Sequence, residues 1–235
     1  MPEDMASGEK TDKELEKDDQ MMFVRKVLGI VAFELLLTFI IVIGASYSDG
    51  FGLFCSSIGV QVTSIIVYIF SLVALMCSRG LRHSVPFNYI VLTIFACSLA
   101  FMVAGLSAYL TPASVIMAIG VLCLVLLTMF AVFLWIPNKE KALMGLLVAM
   151  LAAVMVQWIV MISMLFAYPG NFEGLWILYC TLGVIICMGL IYLDLFIIML
   201  AGKYAMDEYI YCSVLLYVDI VRMLIYLLMI FGKAK

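Results

Sequence analysis

One histidine, His83, stands in the whole chain of 235 residues, which excludes any site built from several histidines, including the multi-histidine zinc hydrolases. Charge is equally scarce, at 12% of residues, whereas 67% are hydrophobic and the mean hydropathy is +1.23. A soluble domain is about half apolar, so this balance identifies an integral membrane protein with no room for a separate soluble domain. The five prolines are too few, and too well separated, for a proline-rich segment. No phosphate-cradling glycine loop, nucleophile elbow or triad-like constellation occurs, and no enzyme activity, cofactor or nucleic-acid partner is expected. Seven cysteines (Cys55, Cys77, Cys97, Cys123, Cys180, Cys187, Cys212) are odd in number, scattered and mostly inside apolar runs. They form neither a disulfide framework nor a metal-ligand spacing. The eighteen methionines sit among Leu and Ile, as packing residues do.

What the chain has in plenty is long apolar runs. Seven spans are expected near 24–47, 52–78, 87–110, 113–136, 142–167, 174–201 and 208–231, each long enough to cross a bilayer, for which about 20 residues suffice. Pro86, Pro112, Pro137 and Pro169 fall at the joints, where a missing N–H is harmless. The expected organisation is a charged tail over 1–21, irregular or a frayed helix from Thr11, a helical membrane domain over 22–232, and a short tail over 233–235. The tail lacks the basic start and short apolar core of a signal peptide. Small residues at four-residue spacing (Gly145, Ala149, Ala153; Ala104, Ala108) are candidate points of close helix approach.

Basic residues alternate between connections. Arg25 and Lys26 precede the first span, Arg79, Arg82 and His83 follow the second, Lys139 and Lys141 the fourth, and Lys203 the sixth. The other connections, 46–52, 108–113 and 167–174, hold no Lys or Arg. By the positive-inside rule the N-terminus is cytosolic. Seven crossings then leave Lys233 and Lys235 on the far side, against the rule, unless the last run re-enters without crossing.

The functional weight falls on residues 191–232. Two of the apolar runs there carry Asp194 and Asp219, and Arg222 follows three residues after the second acid, on the same helix face. Glu34 stands mid-span in the first run. An ionised side chain near the bilayer centre costs about 2.5–3.5 kcal/mol on insertion scales, so such groups mark function by default. Four together leave excess negative charge, which invites a cation or a shared proton. Two carboxylates facing each other in low dielectric titrate as a unit, and one proton between them could latch the helices. The alternative is a static Asp219–Arg222 pair with Asp194 bonded to a tyrosine or the backbone. Arg79 and Arg82 are candidates for orientation signals or for a latch reaching a carboxylate.

These residues carry a resemblance. MFVRKVLGIVAFELLLT at 22–38, RHSVPFN at 82–88 and GKYAMDEYIYCSVLLYVDIVRMLIYLL at 202–228 resemble the opening, the third-helix turn and the closing signature of the transmembrane BAX inhibitor motif family, in its lifeguard branch. The resemblance implies an all-α bundle of seven transmembrane helices with the last helix central and wrapped by the other six. It further implies a pH-sensitive Ca²⁺ leak of ER, Golgi or another membrane (the plasma membrane included) that protects against cell death. Its sensor is a pair of aspartates on the last two helices. Asp219 matches the final-helix aspartate and Asp194 is the candidate partner. Ca²⁺ and H⁺ are then the ligands, Ca²⁺ held only transiently near Asp194 and Asp219, with Bcl-2-family or Ca²⁺-channel proteins as candidate partners. A non-conducting interaction protein is the other reading; a seven-helix receptor fits poorly with a cytosolic N-terminus and tiny outer loops.

The sequence also departs from that pattern. Tyr192-Leu193-Asp194 has one residue more than the family's Tyr-Asp, and one residue turns a side chain by about 100° on a helix. Asp194 then misses the usual sensor position unless the helix shifts or bulges, and Glu34, where Gln is usual, is the candidate to replace a displaced Asp194. Arg222 occupies a place normally uncharged, and the N-terminal tail is short and acidic rather than proline-rich.

Overall fold

The computed structural model describes the backbone of residues 2–135, 139–165, 172–204 and 208–235, and the side chains of 19–78, 80–133, 135, 144–164, 174–200 and 208–235. Every extended element among the described residues is a helix: α1 Pro2–Tyr47, α2 Asp49–Ser56, α3 Ile58–Cys77, α4 Arg79–His83, α5 Phe87–Ser107, α6 Pro112–Trp135, α7 Lys139–Leu165, α8 Phe172–Tyr204 and α9 Tyr209–Phe231. Seven of them contain stretches long and apolar enough to cross a membrane: 19–47, 58–77, 87–107, 112–133, 144–164, 174–200 and 209–231. The chain is thus an all-α, seven-span membrane protein.

Two boundaries differ from expectation. The second span starts at Ile58, because the run from 52 is broken at Ser57, whose ψ of 138° is extended. Serines compete for the backbone there: Ser57 Oγ donates to the Phe54 carbonyl, and Ser48 Oγ accepts from the Phe51 N–H at the start of α2. The charged tail, expected to be irregular or frayed, continues α1 back to Pro2. Its Glu, Lys and Ala residues are good helix formers, and the span behind them supplies the nucleus that a short helix lacks. Pro86 precedes the first turn of α5 and Pro112 opens α6, as a residue without an N–H should. Pro137 and Pro169 lie outside the described residues, as do the side chains of Arg79, Lys139, Lys141 and Lys203.

The last helix is the hub. α9 packs on α1, α3, α5, α6 and α8, and buries Ile210, Leu216, Tyr217, Ile220, Met223 and Leu224. Tyr217 joins three helices: its hydroxyl meets Thr38 Oγ1 of α1 at 2.8 Å and donates to the Ala96 carbonyl of α5 at 3.3 Å. The fifth span sits outermost of the six helices around α9. α7 packs chiefly on α8 and turns most of its surface outward, exposing Val148, Leu151, Met155 and Ile159, because α8 stands between it and most of α9. Among the described residues nothing lies within 4 Å of a Cβ added at Gly145, and Ala149 is exposed, so these two positions are not where helices meet closely. Close approach occurs instead at Gly183, where an added Cβ would stand 2.6 Å from the Tyr226 ring, and at the fully buried Ala104.

The connections sort into two ends. Lys26 Nζ lies 3.5 Å from the centre of the Tyr209 ring, which places the start of the first span beside the start of α9. At the opposite end the last residues pair with the α5–α6 connection: the Thr111 N–H donates to the Lys233 carbonyl and the Lys235 N–H to the Tyr109 carbonyl. Lys235 Nζ also reaches Asp49 Oδ1 at 2.9 Å. α9 therefore runs the full thickness of the bundle and does not turn back.

Candidate functional site: an intramembrane carboxyl pair

On α8 the residues facing the hub recur as Cys180, Cys187, Ile191, Asp194 and Ile198, all buried. Steps of seven, four, three and four keep one stripe of a helix against its neighbour. Asp194 belongs to that stripe and is only 5% exposed. On α9, Asp219 stands between Leu216 and Met223, both fully buried, with 14% of its side chain exposed. The two carboxyl groups face each other across the α8–α9 seam, near enough to interact electrostatically. A hydrogen bond between two carboxyl groups requires a proton on one of them. Among the described residues no N–H or O–H group donates to the buried Asp194 Oδ2. Asp194 lies on the face of α8 turned to α9, three residues after the buried Ile191, while Tyr192 sets its ring edge-on to Phe133 at 5.3 Å.

Arg222 lies beside the pair. Its Nη1 stands 3.4 Å from Asp219 Oδ1, and 52% of its side chain is exposed. Two acids holding one proton carry one negative charge, which the guanidinium balances. Arg222 also lines a cavity of about 410 Å³ between α7, α8 and α9, with Met161, Met164, Trp176, Tyr179, Tyr226 and Met229 among its walls.

Glu34 is not brought to this pair. It is 2% exposed on α1, near Tyr217, and neither carboxyl oxygen has a hydrogen-bond partner. It lines a separate cavity of about 390 Å³ against α5, with Arg25, Lys26 and Tyr89. Among the described residues no three His, Cys, Asp or Glu side chains converge as a metal cage.

Arg82 does reach a carboxylate, but not an intramembrane aspartate. Its Nε is 2.8 Å from Glu208 Oε2. Nη1 donates to the Leu75 and Met76 carbonyls at 2.9 and 2.7 Å, at the end of α3 where such carbonyls lack helical partners. Asn88 Nδ2 in turn donates to the Arg82 carbonyl at 2.9 Å. The Arg79 side chain is outside the described residues. Glu208, Tyr217 and Thr38 escaped the sequence reading; Glu208 precedes the last span in the acid-Tyr step of the closing signature, the one signal that pointed to it.

An all-α membrane bundle of seven spans, with two acids facing each other at the seam of its last two helices, is the class this architecture defines. The family described as "Inhibitor of apoptosis-promoting Bax1" matches residues 20–235, and the chain belongs to it. Protein LIFEGUARD 4 of Arabidopsis thaliana is 29% identical over 215 residues, 91% of this chain and 85% of its own length. Protein LIFEGUARD 3 of the same plant is 29% identical over 216 residues, 88% and 82% of the two chains. Human Protein lifeguard 3 is 24% identical over 213 residues, 89% of this chain and 68% of its own.

Proposed function

We propose that this protein is a proton-gated leak for Ca²⁺ in an intracellular membrane, ER or Golgi, serving cell survival, with its N-terminus in the cytosol. The observation that carries the proposal is the placement of Asp194 and Asp219 opposite each other across the α8–α9 seam, with Arg222 beside Asp219; two buried carboxyl groups so placed bind one proton between them, which bridges the helices. While the acids share a proton, α8 and α9 are held together. When that proton leaves, two like charges face each other across the seam, and the helices separate or admit a cation. Ca²⁺ favours six to eight oxygen ligands; two carboxylates offer too few, so the ion passes through a partly hydrated, transient site. The cavity at Arg222 supplies room for water beside the pair. Asp194, Asp219 and Arg222 are the residues of the gate, and Glu34 lies outside it.

The test is flux from liposomes holding the purified full chain and a Ca²⁺ indicator. The wild type is expected to leak more as pH rises from mildly acid to mildly alkaline. A chain that carries no Ca²⁺ at any pH overturns the proposal. The Asp219–Arg222 contact then favours a second reading: a non-conducting membrane protein whose acids form a static structural set and whose survival role comes from partner proteins, of the Bcl-2 or Ca²⁺-channel kind.

A further inference from the structure

Arg222 does more than balance one charge. It stands nine residues before the end of α9 at Phe231, about 13 Å along the axis at 1.5 Å per residue, well inside the span. Half of its side chain is nevertheless exposed. Its contact with Asp219 is a single 3.4 Å approach, longer than the ~2.7–2.9 Å of a charge-assisted hydrogen bond. A guanidinium has five N–H donors in a planar fork that suits a two-oxygen anion. The fork sits in the cavity of about 410 Å³ whose other walls are thioethers and aromatic rings: Met161 and Met164 from α7, Trp176 and Tyr179 from α8, Tyr226 from α9. One cation among largely apolar walls, on helices α7 and α8 that also expose Trp158, Ile162 and Ile177, suits a ligand with a charged head and an alkyl tail.

We propose that this cavity binds a single-chain amphiphilic anion, a long-chain carboxylate, with its oxyanion on Arg222 and its chain against the apolar flanks of α7 and α8. The depth argues against a glycerophospholipid, whose phosphate is tied to two chains and a glycerol at the headgroup level. The cavity's single cation argues the same way.

Binding there is linked to the carboxyl pair. The charged and titratable groups around the guanidinium are Asp219 and Tyr226 on α9, Asp194, Cys187 and Tyr179 on α8, and Tyr68 on α3. The α7 wall contributes methionines. Of these, Asp219 competes directly with an incoming anion. When both acids are protonated, Arg222 loses its counter-charge and the anion binds more tightly. By reciprocity, a bound anion favours the doubly protonated, closed pair. The site itself does not require conduction; only this linkage rests on the proton-gate reading.

The experiment uses the full chain in nanodiscs of phosphatidylcholine, with a spin-labelled long-chain alkyl sulfonate as probe, because its head stays ionised while the protein titrates. The expected result is saturable binding that tightens several-fold as pH falls. Arg222→Gln should weaken it about tenfold or more, the scale of one lost charge-assisted contact, with Arg222→Lys intermediate. Met164→Trp, which fills the cavity and leaves the Asp219–Arg222 contact, should weaken it too; its thermal midpoint and that of Arg222→Gln verify folding. Unchanged binding in Arg222→Gln or in Met164→Trp overturns the site. Equal competition by inorganic sulfate makes the cavity an aqueous vestibule, and equal competition by phosphatidic acid makes it a phospholipid site; either overturns the proposal. Binding without pH dependence removes the linkage alone. A pH-dependent Ca²⁺ leak in a chain that binds no probe leaves the gate standing and the site refuted.

Discussion

Arg82 and Glu208 form an ion pair at 2.8 Å that fastens the end of α3 to the start of the central helix. The arginine is 6% exposed and also caps two α3 carbonyls, so its charge has no solvent to fall back on. Removing one partner from such a pair leaves the other uncompensated, at a cost of about 3–5 kcal/mol when burial is complete. Because 24% of the Glu208 side chain is exposed, the lower end applies. Glu208→Gln is expected to lower stability by about 3 kcal/mol. Arg82→Gln should cost more, since the α3 carbonyls lose their donors as well. Unfolding in mixed micelles, followed by tyrosine and tryptophan fluorescence, measures both, and a double-mutant cycle isolates the pair.

Asp194→Asn and Asp219→Asn separate the proton latch from a static pair. An amide donates to the facing carboxylate at every pH, so the seam stays bridged without a titratable proton. In Asp194→Asn the Asp219–Arg222 contact is retained, and the leak is expected to stay at the wild type's acid-side level as pH rises. Asp219→Asn should also flatten the pH response, but it removes Arg222's counter-charge and destabilises the fold. A wild-type pH profile in Asp194→Asn removes the latch.

Glu34→Leu tests an acid that stands apart. Two buried carboxyl oxygens without partners are costly, about 1–3 kcal/mol for an unsatisfied polar group. Leucine of similar reach removes that cost, and the variant is expected to be more stable by about 1–2 kcal/mol. The midpoint of the pH-dependent leak should not move, because Glu34 is not hydrogen-bonded to the aspartates. A shifted midpoint would make Glu34 a third member of the gate.

The Tyr217 hydroxyl, deep in the core, gives a further number. Tyr217→Phe strands Thr38 Oγ1 on one side and frees the Ala96 carbonyl on the other, though Thr38 keeps its own bond to the Glu34 carbonyl at 2.8 Å. The expected loss is about 1–2 kcal/mol in the same unfolding assay. Thr38→Val should cost a similar amount, and the two losses should not add, since they remove one shared contact.

Much of this architecture was legible in the residues. The spans follow from apolar length, and the two acids were conspicuous because charge is so rare around them. Counting from Tyr192 left the facing of Asp194 open: an inserted residue turns a side chain by about 100° only if the helix keeps its phase to the preceding residues. The stripe Cys180–Cys187–Ile191–Asp194–Ile198 shows that the phase to α9 is set by the small and branched residues around the acid. The break at Ser57 and the outward position of α7 were not legible, since a lipid-facing helix and a buried one are equally apolar. Tyr217 and Glu208 were hidden for a different reason: each acts through partners more than 80 residues away in sequence, Thr38 and Ala96 for one and Arg82 for the other.

The path of the last helix makes the final prediction. The positive-inside rule left Lys233 and Lys235 on the wrong side, which allowed a re-entrant last span. In the structure both belong to a small clasp with the connections poorest in basic residues. The Lys233 carbonyl accepts from Thr111, the Lys235 N–H donates to Tyr109, and the Lys235 ammonium meets Asp49 at 2.9 Å. That ion pair is exposed at the Asp49 end and contributes little, about 0–1 kcal/mol. The backbone bonds are the firmer part of the clasp. A crossing of 23 residues, about 34 Å, matches the bilayer without them. In a chain stripped of its seven cysteines, Met21→Cys and Lys235→Cys should therefore react with an impermeant maleimide from opposite faces of sealed vesicles. Labelling of both from one face would mean that α9 turns back, and the α8–α9 seam could not then lie across the membrane.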